Sequence, residues 1–103
     1  MSGVNYPYSY SYETVAGGQT AQVLGTAGAK GDYIHRLIIS VVTVTSGGVT
    51  IIDGSTSIVI LTGAATIVPG IYSIECNLAS QSGAWSVTTG AGDTVLAVGI
   101  FSV

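Results

Sequence analysis

Short runs of apolar residues alternate with polar ones along most of this chain, and glycine-containing turns separate the runs. The apolar residues are mainly Val and Ile, which suit a pleated strand, whereas strong helix formers such as Leu, Lys and Glu are scarce. Strand signals about eight to twelve residues apart are typical of a β-sandwich or a small barrel. We therefore predict almost no helix and seven strands, at residues 20–24, 33–44, 49–53, 57–62, 70–78, 85–89 and 94–103.

The predicted strands differ in how many of their faces are apolar. The strand at 70–78 has one apolar face, formed by Tyr72, Ile74, Cys76 and Leu78. The strand at 33–44 is apolar on both sides, with Leu37, Ile39 and Val41 opposite Ile34, Ile38, Val42 and Val44. The strand at 94–103 is also two-sided, with Val95, Ala97 and Phe101 opposite Leu96, Val98 and Ile100. An antiparallel sheet normally leaves one face to water, so these strands predict either two covering layers or a homo-oligomer.

The fold class that these patterns predict is an all-β antiparallel sandwich of about seven strands, in residues 18–103. The sequence does not fix the strand order, so jelly-roll-like, immunoglobulin-like and small-barrel arrangements stay open. Trp85 and Tyr72 are the expected aromatic anchors of the core, since buried aromatic side chains contribute much apolar area. An alternative for Trp85 is a platform on which a sugar ring stacks.

The segment 1–17 is predicted to be an N-terminal arm. In an extended backbone its four regularly spaced tyrosines, Tyr6, Tyr8, Tyr10 and Tyr12, share one side. The tyrosine segment, residues 6–12, has no other apolar residue with which to build a core of its own. It is therefore either a low-complexity tail or, as we favour, an arm that orders on a neighbouring subunit by strand addition, with the four tyrosines as its contact residues.

Charge excludes several classes of partner. The formal net charge is −3, and Lys30 and Arg36 are the only fixed cations, so little is available to neutralise nucleic-acid phosphates. No apolar run approaches the roughly 20 residues of a membrane-spanning helix, and residues 1–7 do not resemble a secretion signal. We expect no nucleic-acid partner and no membrane partner. The single cysteine, Cys76, is predicted to be a small buried hydrophobe.

Candidates for chemistry are few. His35 is the only histidine, and it points away from Asp32 in an extended strand; there is also no Gly-x-Ser-x-Gly elbow, so a catalytic triad is not expected. The carboxylates are about twenty residues apart, and Asp53 and Asp93 stand where turn-forming residues belong. One His and one Cys cannot build a zinc site within one chain, although a site on a three-fold axis stays open. The sequence thus predicts no enzyme, no metal and no cofactor.

Four segments resemble small virion proteins of tailed bacteriophages: GDYI at 31–34, VTIIDG at 49–54, SGAWSVTTG at 82–90 and VLAVGIF at 95–101. The resemblance covers residues 30–103 and leaves the arm out. It implies a decoration or cement protein on the exterior of the capsid, a homotrimer with a β-sandwich or jelly-roll body that bridges neighbouring major capsid subunits and stabilises the shell. The alternative function is a glycan-binding head-fibre or tail-associated adhesion module, acting through Trp85 or exposed tyrosines.

Overall fold

The computed structural model describes residues 10–103, which form two four-stranded antiparallel sheets and contain no helix. One sheet has the strand order β1-β8-β3-β6 and the other the order β2-β7-β4-β5. The predicted all-β sandwich is confirmed. The strands are β1 (Ser11–Val15), β2 (Gln22–Val23), β3 (Tyr33–Val41), β4 (Val49–Asp53), β5 (Thr56–Leu61), β6 (Gly70–Ala79), β7 (Trp85–Thr89) and β8 (Asp93–Ile100).

The strands pair in a nested pattern. β1 pairs with β8, β2 with β7, β3 with β6 and β4 with β5, always antiparallel. The innermost pair is a tight hairpin in which Gly54, with φ 60°, and Ser55 join the two strands. Rolling up this long hairpin also places β3 beside β8 and β4 beside β7. This connectivity is that of an eight-stranded jelly roll, and it excludes the immunoglobulin-like order that the sequence left open.

Several strand bounds differ from the sequence-based expectation. β1 lies inside the segment predicted as an arm, where Val15 is fully buried. The strand predicted at 20–24 is reduced to Gln22–Val23, because Ala21 adopts a left-handed backbone with φ 48°. The last strand ends at Ile100 instead of continuing to 103, because the backbone and hydroxyl of Ser102 turn inward to the Asp32 carboxylate. Eight strands form in place of seven.

A β-bulge in β3 changes which side chains face the core. The register of β3 against β8 shifts between Ile34 and Arg36, so His35 is an extra residue. Ile34 consequently lies on the same side as Leu37 and Ile39, and all three are fully buried. The prediction that Ile34 faces away from these two residues is wrong, because simple alternation does not continue through a bulge.

The core lies between the two sheets and contains Trp85, whose side chain is 1% exposed. The Trp85 indole N–H donates a hydrogen bond of 2.8 Å to the backbone carbonyl of Asp32. Tyr72 packs against this core from β6, and its hydroxyl donates to the carbonyl of Val68. The buried apolar set is Val15, Leu24, Ile34, Leu37, Ile39, Val41, Val49, Ile51, Trp85, Val87, Val95, Ala97 and Phe101.

Candidate functional site

The two sheets present different side chains on their outward faces. On the β2-β7-β4-β5 sheet the outward positions carry hydroxyl groups at Thr50, Ser57, Ser86 and Thr88 and aliphatic side chains at Val23, Ile52 and Val59. On the β1-β8-β3-β6 sheet seven outward positions are aliphatic or aromatic, beside the hydroxyl groups of Thr14, Ser40, Ser73 and Thr94, and Tyr12, Ile71 and Ile100 are 71%, 67% and 48% exposed. We call this second surface the outer face. Its apolar members are Tyr12, Tyr33, Ile38, Ile71, Leu96, Val98 and Ile100.

The outer face results from the two-sided strands that the sequence identifies. β3 and β8 are the central strands of one sheet, so their inward side chains form the core and their outward side chains meet. Ile38, for example, lies directly opposite Leu96. Nothing else in residues 10–103 forms a layer over this sheet. The sequence predicts either two covering layers or a homo-oligomer for the two-sided strands, and residues 10–103 do not provide the second layer.

One ion pair lies on the outer face. Arg36 and Glu75 face each other across β3 and β6 with an N–O distance of 3.6 Å, and their side chains are 36% and 66% exposed. An exposed pair of this kind contributes about 0–1 kcal/mol, so its main effect is to place a polar spot in an apolar surface. The Nε atom of Arg36 is buried and has no hydrogen-bond partner in the described chain.

An aromatic cluster occupies the end of the outer face where β3 begins. The ring of Tyr10 stacks on His35 at a centroid distance of 4.6 Å and an angle of 9°, and lies 6.1 Å from the ring of Tyr33. Asn77 Oδ1 accepts a 2.8 Å bond from the Tyr33 hydroxyl and lies 3.0 Å from His35 Nδ1. Asn77 has φ 52°, a left-handed backbone that Asn adopts more readily than most residues. Asn77 is not among the predicted site residues; its one local signal is that Asn is depleted in strands and tolerates a left-handed backbone.

The predicted contact tyrosines fall into two groups. Tyr10 and Tyr12 lie on the outer face, with Tyr12 opposite Val98. Tyr6 and Tyr8 lie outside the described residues. The structure therefore brings two of the four predicted contact residues onto the apolar surface, and tests nothing about the other two.

Asp32 and His35 do not meet. His35 is on the outer face, whereas the Asp32 carboxylate is turned toward the end of the sandwich and accepts bonds of 3.0 Å from the backbone N–H groups of Ala29 and Ser102. The Ser102 hydroxyl donates a third bond, of 2.6 Å. Burial by itself would raise the pKa of Asp32, but these three hydrogen bonds together hold it below its usual value. Asp32 therefore fastens the C-terminal segment to the turn before β3.

The carboxylates of Asp53 and Asp93 hold loops in place. Asp53 accepts bonds from the backbone N–H groups of Ser82 and Gln81, which lower its pKa below its usual value. Asp93 is fully buried, and its Oδ2 accepts a 2.7 Å bond from the Ser46 hydroxyl and a 3.1 Å bond from the N–H of Gly48, while its Oδ1 has no partner in the described chain. Both residues lie next to turns, as predicted from the sequence, and their carboxylates also hold neighbouring loops in place through hydrogen bonds.

The burial of Trp85 and Cys76 can be compared with the sugar-stacking role considered for Trp85 and the buried position predicted for Cys76. With 1% of its side chain exposed, Trp85 offers no surface for a sugar ring to stack on. Cys76 faces the interior from edge strand β6 and is half-buried, so its thiol is less enclosed than the sequence predicts. Burial raises the pKa of the Cys76 thiol.

A cleft of about 410 Å³ opens at the end of the sandwich opposite the aromatic cluster. It is lined by Thr43, Thr45, Ser46, Gly47, Ala91 and Gly92, which offer hydroxyl and backbone groups but no ionisable side chain. Within residues 10–103, no three His, Cys, Asp or Glu side chains lie close enough together to hold a metal ion. The same residues contain no helix of the length and apolar character needed to span a bilayer.

Comparison with known proteins gives no match: no protein-family model, no curated protein and no solved structure is significantly similar to this chain. The fold and the surfaces described above are thus the basis for any functional conclusion.

Proposed function

We propose that the protein is a capsid decoration protein, which binds the exterior of a phage head through its outer face and bridges neighbouring major capsid subunits. The observation that carries this proposal is the outer face, where seven aliphatic and aromatic side chains lie together and Tyr12, Ile71 and Ile100 are 71%, 67% and 48% exposed. A large exposed apolar patch on a small domain marks an interaction surface.

The jelly-roll connectivity also supports the proposal, because it occurs in viral capsid domains, although it also occurs in lectins and a fold by itself does not determine a function. The phage head as the partner comes from the resemblance of residues 30–103 to small virion proteins of tailed phages, which no match to a known protein supports.

The size of the outer face indicates how such a protein would bind. Four strands about 4.8 Å apart and eight residues long, at about 3.3 Å per residue, give an area on the order of 500 Å². A stable interface buries about 800 Å² on each partner, so one copy is expected to bind weakly. A contact worth about 8 kcal/mol is micromolar, but three linked contacts dissociate far more slowly because each later contact forms at high effective concentration. A homotrimer would therefore clamp adjacent capsid subunits with three modest contacts.

Two matched substitutions test the proposal. Ile100→Asp places a charge on the outer face, and Val59→Asp places one on the opposite sheet, at a side chain that is 60% exposed compared with 48% for Ile100. We expect Ile100→Asp to abolish cosedimentation with expanded phage heads and Val59→Asp to leave it unchanged. Equal binding by both variants, or an image reconstruction with the protein absent from the head exterior, would contradict the proposal.

A second candidate function, glycan binding, is favoured by the aromatic cluster. Tyr10 and Tyr33 provide ring faces, and the amide of Asn77 is fixed beside them with its oxygen already bonded. The discriminating variant is Asn77→Gly, because Gly tolerates φ 52° and the fold is kept while the amide is lost. Binding to a glycan array by the native chain, lost in Asn77→Gly at an unchanged unfolding midpoint, would favour adhesion over decoration.

A further inference from the structure

The two edges of the sandwich are closed to different degrees. At the edge formed by β1 and β2, Glu13 accepts bonds of 2.8 Å from the side chain of Gln22 and from the N–H of Gly25, which joins the two sheets. The inward residues there, Val15 and Leu24, are fully buried. This edge is closed by contacts within the chain.

The opposite edge, formed by β5 and β6, is open. β6 is ten residues long and, within residues 10–103, pairs only with β3, so half of its backbone hydrogen-bonding groups have no strand partner in that part of the chain. None of the side chains that point inward from the two strands is fully buried, and none of them is charged. We call this surface the open edge; its inward apolar residues are Ile58, Ile60, Leu61, Tyr72, Ile74, Cys76 and Leu78.

We propose that the open edge receives residues 2–9 of a second copy of this chain as an added strand along β6, with Tyr6 and Tyr8 placed against its apolar side chains. The contact would satisfy the free backbone groups of β6 and cover the inward residues at the same time. It is independent of any capsid, so it can hold whether or not the protein decorates a phage head.

The composition and length of the segment fit the open edge. Residues 1–9 contain no charged side chain, and Tyr6 and Tyr8 fall on the same side of an extended backbone. Eight residues span about 26 Å when extended, which matches most of the roughly 33 Å length of β6. Tyrosine loses little rotamer freedom when it is fixed and contributes a large apolar area.

Pro7 also fits this arrangement. Successive residues of a strand direct their backbone groups to opposite sides, so Tyr6 and Tyr8 can bond to β6 while the ring nitrogen of Pro7 faces away. Proline is tolerated in a sheet at such an outer position, where the missing N–H costs no ladder bond. It would also prevent another strand from adding outside the arm, so the sheet would end there.

A second copy is required because the chain's own segment cannot reach its own open edge. Tyr10 is held at β1, and β1 is separated from β6 by β8 and β3, a distance of about 14 Å at 4.8 Å per strand. Crossing it takes at least four or five residues, so Tyr6 and Tyr8 could not both lie along β6 of the same chain. Two copies can exchange their arms reciprocally in a two-fold dimer, or each arm can enter the edge of the next copy in a heterologous contact that closes into a ring, such as a trimer.

The single native cysteine reports on this contact. In Tyr8→Cys the new thiol should oxidise with Cys76 of a neighbouring copy, giving disulfide-linked species up to the size of the oligomer on a non-reducing gel. Mild oxidant at about pH 8.5 keeps enough thiolate for exchange. Thr14→Cys is the matched control, since Thr14 is exposed on β1 at the other edge, and Tyr8→Cys combined with Cys76→Ser should remove the cross-link.

A chain lacking residues 2–9 provides the second measurement. We expect it to keep the circular dichroism spectrum of the native chain but to have the mass of a monomer by light scattering, and its Cys76 to be alkylated several times faster. An intramolecular disulfide in Tyr8→Cys, an absent disulfide, or a truncated chain that keeps the native mass would overturn the proposal. A native dimer cross-linked through Cys76 of both copies would instead indicate pairing of two β6 strands, and would overturn it as well.

Discussion

Replacing Asp32 by Asn tests how strongly the C-terminal segment is fastened to the body of the protein. The Asp32 side chain is isosteric with Asn and 93% of the residue is buried, so the change alters charge and hydrogen bonding more than packing. The carboxylate accepts three hydrogen bonds, from the N–H of Ala29 and from the N–H and hydroxyl of Ser102. An amide keeps one acceptor oxygen and loses the charge.

The expected cost follows from these bonds. Hydrogen bonds to a charged group contribute about 1.5–3 kcal/mol each, and neutral ones about half as much, so Asp32→Asn should lower the free energy of unfolding by about 2–3 kcal/mol. Ser102→Ala, which deletes a single hydroxyl donor, should cost about 1 kcal/mol. For a domain with a total stability of about 5–15 kcal/mol, the loss of stability in each variant relative to the native chain is readily measured. In urea, followed by the fluorescence of buried Trp85, Asp32→Asn should lower the midpoint by about 1–2 M.

The pH dependence gives a second and sharper test. The pKa of Asp32 is lower in the folded protein than its ordinary value of 3.8, so its contribution is present above that value and is lost as the pH falls through the folded pKa. The native chain and Asp32→Asn should therefore differ at pH 7, and the difference should shrink as the pH falls below 3.8 and through the folded pKa. A difference that does not shrink as the pH falls below 3.8, or one smaller than about 0.5 kcal/mol at pH 7, would refute the role assigned to the carboxylate.

Three other changes have defined outcomes. In Gly90→Ala the new Cβ would lie 2.2 Å from the Cα of Gly47, so we expect a loss of about 2 kcal/mol or more, seen as a lower thermal midpoint, and an unchanged midpoint would contradict this packing. Glu13→Ala removes two acceptors at the closed edge and should cost about 1–3 kcal/mol in urea, with a smaller loss for Gln22→Ala. Because burial raises its pKa, Cys76 should react with iodoacetamide more slowly than free cysteine at pH 8; equal rates would show that the thiol is not shielded.

The class of fold is predictable from the sequence because its causes are local. Alternation at 70–78, β-branched runs and glycine turns each indicate strands without knowledge of what pairs with what. The two-sided runs at 33–44 and 94–103 correctly identify strands with apolar side chains on both faces, and these become the central pair β3 and β8. The tight turn at Asp53-Gly54 is predictable for the same reason, since its chemistry lies within four residues.

The features of the fold and of the candidate site that the sequence does not predict depend on contacts between residues that are far apart in the chain. The bulge at His35 exists because β3 must match both β6 and β8, and neither partner is visible in the residues around it. From the sequence, β1 is predicted to be part of an arm, because Val95, the partner of its buried residue Val15, is eighty residues away. The aromatic cluster brings together Tyr10, which precedes β1, His35 of β3 and Asn77 of β6, so no spacing along the chain reveals it.

The nested strand pairing has a consequence for synthesis on the ribosome. β1 is the first of the eight strands to be made, but its only partner within residues 10–103 is β8, the last of them. The β4–β5 hairpin can form early, whereas the pairs around it require ever longer loops to close, which makes folding slow for a domain of this size. The β1-β8-β3-β6 sheet can therefore be completed only after β8 has left the exit tunnel, and a nascent chain stalled before β8 would expose β1 and one edge of β3 to other proteins.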